Sequence, residues 1–386
     1  TNFNMRLAED ERIEPLITTD GGAKFFGTIQ SGEQPAWYGT MVRTDWLEEL
    51  NIDEPQTISD WYDMLTAFKD NGHANALYFA KTGYDTTGFG IVGAYDTAPV
   101  FYNKDGVVTW GGIDEGYKAY LTEMAKWYSE GLIDLDFYSR ATADQMTMFA
   151  QDKVGASVGA SYTTAEQYPL SHGGEGVKWE AVPLPVLEEG TTGHFRRVNL
   201  VVGTAACFPT TAAVENGNIE TVIRYIDYTY SEEGSAITNY GVEGETWEWG
   251  DDGLPHYTDF FLHNEEFGQT DMRNRWCDSN GRGGYYMWIR ENDSYSQEVL
   301  DGQYKWMDSS SGDWVMPPVT LTSEEANEYA TIYGDIETLM QEFTTQVITG
   351  QKSIDEWDSY VEQVKGMNID RCIELQQAAL ERFNAR

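Results

Sequence analysis

At 386 residues the chain is longer than one ordinary hydrophobic core supports, and at about 150 residues per domain it reads as two lobes. Hydrophobic residues make up 41% and the mean hydropathy is −0.50, enough for packed cores but without the run of about 18 apolar residues that a membrane-crossing helix needs. The 64 acidic side chains outnumber the 25 basic ones to give a net charge of −39, which repels nucleic-acid phosphates and anionic lipid headgroups.

Residues 1–35 are polar, with a turn at Thr19-Asp20-Gly21-Gly22. Trp37 to Arg43 then reads as extended chain, and Thr44-Asp45-Trp46-Leu47-Glu48 begins a helix. Pro55 to Asp60 opens a second helix whose apolar face, Trp61, Met64, Leu65 and Phe68, recurs at helical spacing until Gly72. Ala76 to Phe79 reads as a strand, and Asn103-Lys104-Asp105-Gly106 as the turn of a hairpin. Tyr117, Tyr120, Leu121, Met124 and Trp127 mark another helix, closed by Gly131. Lys153 to Gly159 is a small-residue strand and loop, and Val198 to Phe208 a second apolar extended stretch. Ile219, Val222, Ile223, Ile226 and Tyr230 predict one long helix that stops at Gly234. From Trp247 to Asp313 periodicity fails, and such irregular segments are where binding residues concentrate. Thr322-Ser323-Glu324-Glu325 and Ser353-Ile354-Asp355-Glu356 are capping boxes, and a final helix starts near Asp370. Strands alternating with helices predict an α/β fold with largely parallel sheets.

Catalytic and metal-binding signatures are missing from the sequence. The five histidines form no HxH or HxxxH pair, Cys207, Cys277 and Cys372 have no zinc or disulfide spacing, and there is no GxSxG, P-loop or GxGxxG. Asp278-Ser279-Asn280-Gly281 and Asn103-Lys104-Asp105-Gly106 lack the glutamate that would complete a calcium loop and read as turns. No cofactor or metal is expected. The arginines Arg273, Arg275, Arg282 and Arg290 are interleaved with Asp271, Asp278 and Glu291, so no nucleic-acid partner is expected.

Aromatic residues carry the remaining signal: 13 Trp, 24 Tyr and 16 Phe make 14% of the chain. Trp61, Trp127 and Trp357 sit at helical core spacing and are assigned to packing. Others lie outside periodic elements, where a flat ring can stack on the apolar C–H face of a sugar while polar neighbours take its hydroxyls. Trp37, Tyr38, Tyr162, Trp247, Trp276 and Trp288 are the candidate platforms, with Arg43, Arg196 and Arg273 as polar or anion-pairing groups. The same rings would equally fill loop cores, and the sequence leaves both readings open.

Several segments, in order, carry a family resemblance: Val42-Arg43-Thr44-Asp45-Trp46-Leu47-Glu48-Glu49-Leu50, Pro55-Gln56-Thr57, Leu65 to Lys69, Trp127 to Asp134, Tyr228 to Gly234, Tyr240 to Gly244, and Ile348-Thr349-Gly350 through Trp357 and Tyr360. Together they resemble the family 1 extracellular solute-binding proteins, the lipid-anchored receptors of bacterial sugar ABC importers. The resemblance implies a periplasmic-binding-protein-like α/β fold with mixed, mostly parallel sheets, hinge strands and a helical C-terminus. It assigns residues 1–42 and 205–325 to an N-terminal-type lobe, and 43–204 and 326–386 to a C-terminal-type lobe. Trp37 to Arg43 and Val198 to Phe208 would be the crossing strands. It further implies non-enzymatic capture of an oligosaccharide in an inter-lobe cleft. The chain would be a monomer that delivers its ligand to the permease subunits of an ABC transporter, at the outer face of the membrane or in the periplasm, touching lipid only through an anchor outside this chain. The family's segment before residue 13, with the lipidated Cys and the first strands, has no counterpart here, so the N-terminal-type lobe is expected to be incomplete. The alternatives are a carbohydrate-active enzyme such as a glycoside hydrolase, and a receptor of the same fold for a peptide or other small solute.

Overall fold

The computed structural model describes residues 1–19, 22, 24–30, 34–73, 77–140, 144–161, 176–207, 211–277 and 283–386, and of residues 144–146 and 204–207 the backbone alone. The described strands, in chain order, are β1 (Phe26–Gln30), β2 (Tyr38–Arg43), β3 (Leu77–Tyr78), β4 (Phe101–Lys104), β5 (Val107–Trp110), β6 (Ala156–Ser161), β7 (Trp179–Val182), β8 (Val202–Cys207), β9 (Trp247–Trp249), β10 (Pro255–Tyr257) and β11 (Gly284–Tyr286).

Packing divides the chain into two units. The first comprises Thr1–Gln34, Asn199–Ser296 and Arg382–Arg386, and the second Pro35–Val198 and Gln297–Glu381. The boundaries expected from sequence were 42/43, 204/205 and 325/326. In the structure β2 is hydrogen-bonded on both edges, to β6 and β7, and the helix Gln297–Ser309 packs on that same sheet, which puts both elements in the second unit.

In the first unit β1 is the centre of a sheet ordered β11-β1-β8, parallel to β11 and antiparallel to β8. Its core joins Phe3, Ile13, Ile17, Ile29, Val202, Ile226 and Tyr230. Phe3, Ile13 and Ile17 come from the short helices Asn2–Leu7 and Ile13–Ile17, elements too short to show a periodic pattern in the polar N-terminal stretch. The helix expected from Ile219 to Gly234 is two helices, Ile219–Tyr228 and Glu232–Tyr240. The hydroxyl of Ser231 accepts the N–H of Gly234 at 3.0 Å, so this stretch starts a second helix where continuation was expected.

In the second unit the sheet runs β3-β6-β2-β7. Its large core gathers Val42 and Ala156 from the sheet with Trp61, Phe68, Trp127, Phe343, Trp357 and Tyr360 from the helices. Trp61, Trp127 and Trp357 are all buried, as their spacing predicts. Thr57 and Asp60 exchange hydrogen bonds in a capping box that starts Ile58–Asp70, and Thr322 and Glu325 do the same for Ser323–Ile348. The turn between β4 and β5 places Asp105 at φ 54° and Gly106 at φ 90°, the pair of positive values that a tight hairpin needs.

The sheets are mixed. Among the described residues only β1–β11 and β3–β6 are parallel pairs of named strands, which corrects the expected parallel bias. The tight hairpins β4–β5 and β9–β10 reverse the chain and force antiparallel pairing, and β2 runs opposite to both of its neighbours. No helix among the described residues is long and apolar enough to cross a membrane.

Candidate functional site

The second unit holds a site built on the start of β2. Ala36 is fully buried, and its carbonyl accepts Gln303 Nε2 at 3.3 Å, which anchors the approach to the strand. Trp37 and Tyr38 follow, both half-buried, with Tyr38 paired to Ser161 at the end of β6. These two rings therefore stand at a sheet end, where fixed backbone presents partly exposed aromatic surface.

A strap of chain, residues 193–198, is fastened beside them. Phe195 is 2% exposed and packs with Phe89, Tyr102 and Trp314. The His194 ring stacks on Trp314 with centroids 4.0 Å apart and planes 5° from parallel, while its Nδ1 lies 2.9 Å from Asp313 Oδ1. The Ser310 hydroxyl lies 3.0 Å from the Gly193 carbonyl and 2.8 Å from that of Phe195. Arg196 donates from Nε to the Ser310 carbonyl at 2.7 Å and from Nη1 to the Arg197 carbonyl at 3.2 Å, so it serves as a brace for the strap. With Phe195 and Arg196 so fixed, the guanidinium of Arg197 comes to 5.8 Å from the Tyr38 ring centroid. Arg197 is half-buried, and among the described residues its solvent-screened Nε has no hydrogen-bond partner and no carboxylate reaches its guanidinium.

Behind β2 lies Asp85, 7% exposed, whose Oδ1 accepts the N–H of Thr87 at 2.8 Å and whose Oδ2 accepts that of Gly88 at 2.9 Å. Burial pushes its carboxyl above the ordinary value, against those hydrogen bonds. A Cβ on Gly88 would fall 3.0 Å from Gly39 N, and one on Gly159, at φ 66°, would fall 2.8 Å from Asp85 Oδ1. The loop is therefore pressed against β2 and β6 where only glycine fits. Sequence reasoning singled out neither Asp85 nor Arg197. The one signal for Arg197 was an Arg-Arg pair in an irregular, acid-rich chain.

The remaining sequence candidates fall elsewhere. Arg43, 4% exposed, gives Nε and Nη2 to Asp45 at 2.7 and 2.5 Å and Nη1 to Asp152 at 2.5 Å, and lies over the Trp46 ring. Its guanidinium is paired with two carboxylates of its own unit. Trp247, 4% exposed, is in a core with Tyr240, Tyr257, Phe261 and Met272 in the first unit, so the irregular segment holds a small core of its own. Arg273 is tied to Glu291 at 3.1 Å and to the Ser294 hydroxyl at 2.7 Å. Trp276 is half-buried against the same core, edge-on to Phe260, and Trp288, also half-buried, opens the 3-10 helix Trp288–Asp293. Tyr162 lies outside the described residues. Trp37, Tyr38 and Arg196 are thus assembled in the second unit and Trp276 and Trp288 belong to the first.

The first unit also has a small recess, open to solvent, lined by Thr28, Thr238, Asn239 and residues 283–286. Asn239 is saturated there: Nδ2 donates to the carbonyls of Ser235 and Tyr285 at 2.8 and 2.7 Å, and Oδ1 accepts Met287 N at 2.9 Å. Tyr286 donates its hydroxyl to Glu291 at 2.7 Å. The polar groups of Asn239 and Tyr286 are therefore engaged within their own unit.

No protein-family model matches the chain. It is 23% identical over 382 residues to the fructooligosaccharide ABC transporter substrate-binding protein FusA of Streptococcus pneumoniae, across 93% of this chain and 67% of FusA. Over 258 residues it is 23% identical to the polygalacturonan/rhamnogalacturonan-binding protein YtcQ of Bacillus subtilis, across 62% of this chain and 48% of YtcQ. The match thus spans under half the length of YtcQ. Among solved structures, the alginate-binding protein AlgQ2 superposes with a TM-score of 0.73 at 22% identity, across 98% of this chain and 79% of that one. The chain has the solute-binding-protein fold. In that fold, the Trp37–Tyr38 end of β2 and the strap bearing Arg197 form an aromatic and cationic corner of the second unit.

Proposed function

We propose that this protein is a non-enzymatic receptor that binds an oligosaccharide and passes it to an ABC importer at the outer surface of a bacterial membrane, held there by a lipid anchor. The observation that carries this reading is the pairing of half-exposed Trp37 and Tyr38 with a guanidinium, on a fold shared with proteins named for binding polymeric and oligomeric sugars. Aromatic faces stack on sugar C–H surfaces, and polar groups in the same plane take hydroxyls. Binding by stacking and hydrogen bonding breaks no bond and needs no cofactor. Trp276 and Trp288 are the first unit's candidates for further stacking surface.

The test is a thermal-shift screen of the chain against a glycan panel, followed by calorimetry on the best ligand. A ligand that binds only the native state raises the melting temperature by mass action. Trp37→Ala and Tyr38→Ala should each weaken binding about tenfold, as loss of a stacked aromatic anchor does. If no glycan shifts the transition, or if the protein releases reducing ends from the panel, the proposal fails.

A further inference from the structure

We propose that Arg197 recognises a carboxylate on the sugar, so that the ligand class is acidic oligosaccharides containing uronic acid. This rests on the sugar-binding reading above and narrows it.

The chain has 64 acidic side chains and 25 basic ones, so any arginine has carboxylates in excess to choose from. Most arginines do choose one. Arg6 pairs with Glu9, Arg12 with Asp10, Arg43 with Asp45 and Asp152, Arg140 with Asp134, Arg224 with Glu220, Arg273 and Arg290 with Glu291, and Arg371 with Glu328. Arg197 has none among the described residues, although it is half-buried and held beside Tyr38 by a fastened strap. Its Nε is screened from solvent and has no hydrogen-bond partner among the described residues. A buried donor without a partner costs free energy and calls for an explanation.

A bound anion at the solvent-reachable part of this half-buried guanidinium supplies the countercharge that no described carboxylate gives. A guanidinium presents its N–H groups as a planar fork that matches the two oxygens of a carboxylate. Arg197, with no carboxylate among the described residues, stands beside the Tyr38 ring, the complement of a sugar ring bearing a carboxylate on its rim.

The experiment compares trigalacturonate with its fully methyl-esterified counterpart by calorimetry on the unaltered protein, with the neutral trisaccharide kestose alongside. Esterification removes the charge and keeps the ring. The free acid is expected to bind at least tenfold tighter than the ester. Arg197→Gln should reduce that ratio to about twofold or less, and Arg197→Lys should keep part of it. Circular dichroism of each variant shows whether it is folded, and the acid-to-ester ratio on native protein does not depend on any variant. Equal affinity for acid and ester, or binding of kestose alone, overturns the uronate assignment and leaves sugar binding standing. A full preference for the acid in folded Arg197→Gln overturns the role of Arg197. Failure of every glycan to bind overturns both readings.

Discussion

The indole of Trp306 fills the space that a side chain on Gly39 would need: a Cβ there would fall 2.4 Å from Cδ2 and Cε2 of the ring. Trp306 is fully buried and its Nε1 donates to the Thr40 carbonyl at 3.0 Å, so it cannot slide away without giving up that bond. Gly39→Ala should therefore cost about 1–3 kcal/mol, the usual penalty for overpacking a rigid site. Because Gly39 follows Tyr38, sugar affinity should fall as well. Urea denaturation checks the first effect and calorimetry the second. An unchanged urea midpoint would show that the β2 backbone can move aside.

The elements legible in the sequence were those whose signals are local. Thr57 and Asp60, or Thr322 and Glu325, form a cap within one turn of helix, and Trp61, Met64, Leu65 and Phe68 repeat at one helical period. Asp105 and Gly106 mark a hairpin for the same reason. The site is legible only in part, because its residues meet through tertiary packing. Arg43 and Arg196 looked alike as isolated cations, yet one is paired with Asp45 and Asp152 and the other braces a strap through Ser310. Trp247 and Trp276 stood in the same aperiodic stretch, and only contacts with Tyr257, Phe261 and Met272 show that Trp247 is core. Nothing local distinguishes Arg197 from either arginine. Its character comes from the company it lacks.

Phe195 is the wedge that fixes the strap. It is 2% exposed, with its ring 5.3 Å from Tyr102, 5.5 Å from Phe89 and 6.0 Å from Trp314. Phe195→Ala should cost about 3–5 kcal/mol, in the range of buried aromatic truncations. It should also loosen Arg196 and Arg197 and weaken ligand binding even where the protein remains folded. Phe195→Leu, which keeps most of the volume, should restore both. Loss of stability with full retention of affinity would separate the strap from the binding corner.

Glu291 is the counter-charge of a buried cluster in the first unit. It is 2% exposed and lies 3.1 Å from Arg273 Nη2 and 3.3 Å from Arg290 Nε. Burial alone would raise its carboxyl, but the charges of Arg273 and Arg290 outweigh it and hold the group below its ordinary value of 4.5. The folded pKa is depressed, so this stabilisation is present above about pH 4.5 and is lost as pH falls through the lower folded value. Glu291→Gln leaves two guanidinium groups, one fully buried, without their anion, and should cost about 3–5 kcal/mol at neutral pH. Its stability should then fall less steeply than that of the native protein as pH drops below about 4.5. Parallel acid-dependence curves for the two proteins would contradict this account.

His256 joins the β9–β10 hairpin to the 3-10 helix Trp288–Asp293. Its Nδ1 lies 2.7 Å from Asp293 Oδ1 and its Nε2 3.1 Å from Asp252 Oδ2. Both carboxylates are held from the other side, since Asp293 Oδ2 accepts Tyr257 N and Asp252 Oδ1 accepts Leu254 N, each at 2.9 Å. An imidazolium can donate to both acids at once, whereas the neutral ring has one N–H and must turn a lone pair toward the other. The hydrogen bond to Asp293, helped by that to Asp252 and opposed by desolvation, accordingly raises the His256 pKa above its ordinary 6.5. Stabilisation from a raised pKa is complete below about pH 6.5 and disappears as pH climbs through the folded value. The urea midpoint of the native protein should therefore decline between pH 6 and pH 8 more steeply than that of His256→Gln, which keeps a donor but cannot titrate. The ring is partly exposed, so salt should shrink the difference. Identical slopes for the two proteins at low salt would mean that the acids do not hold the proton on this ring.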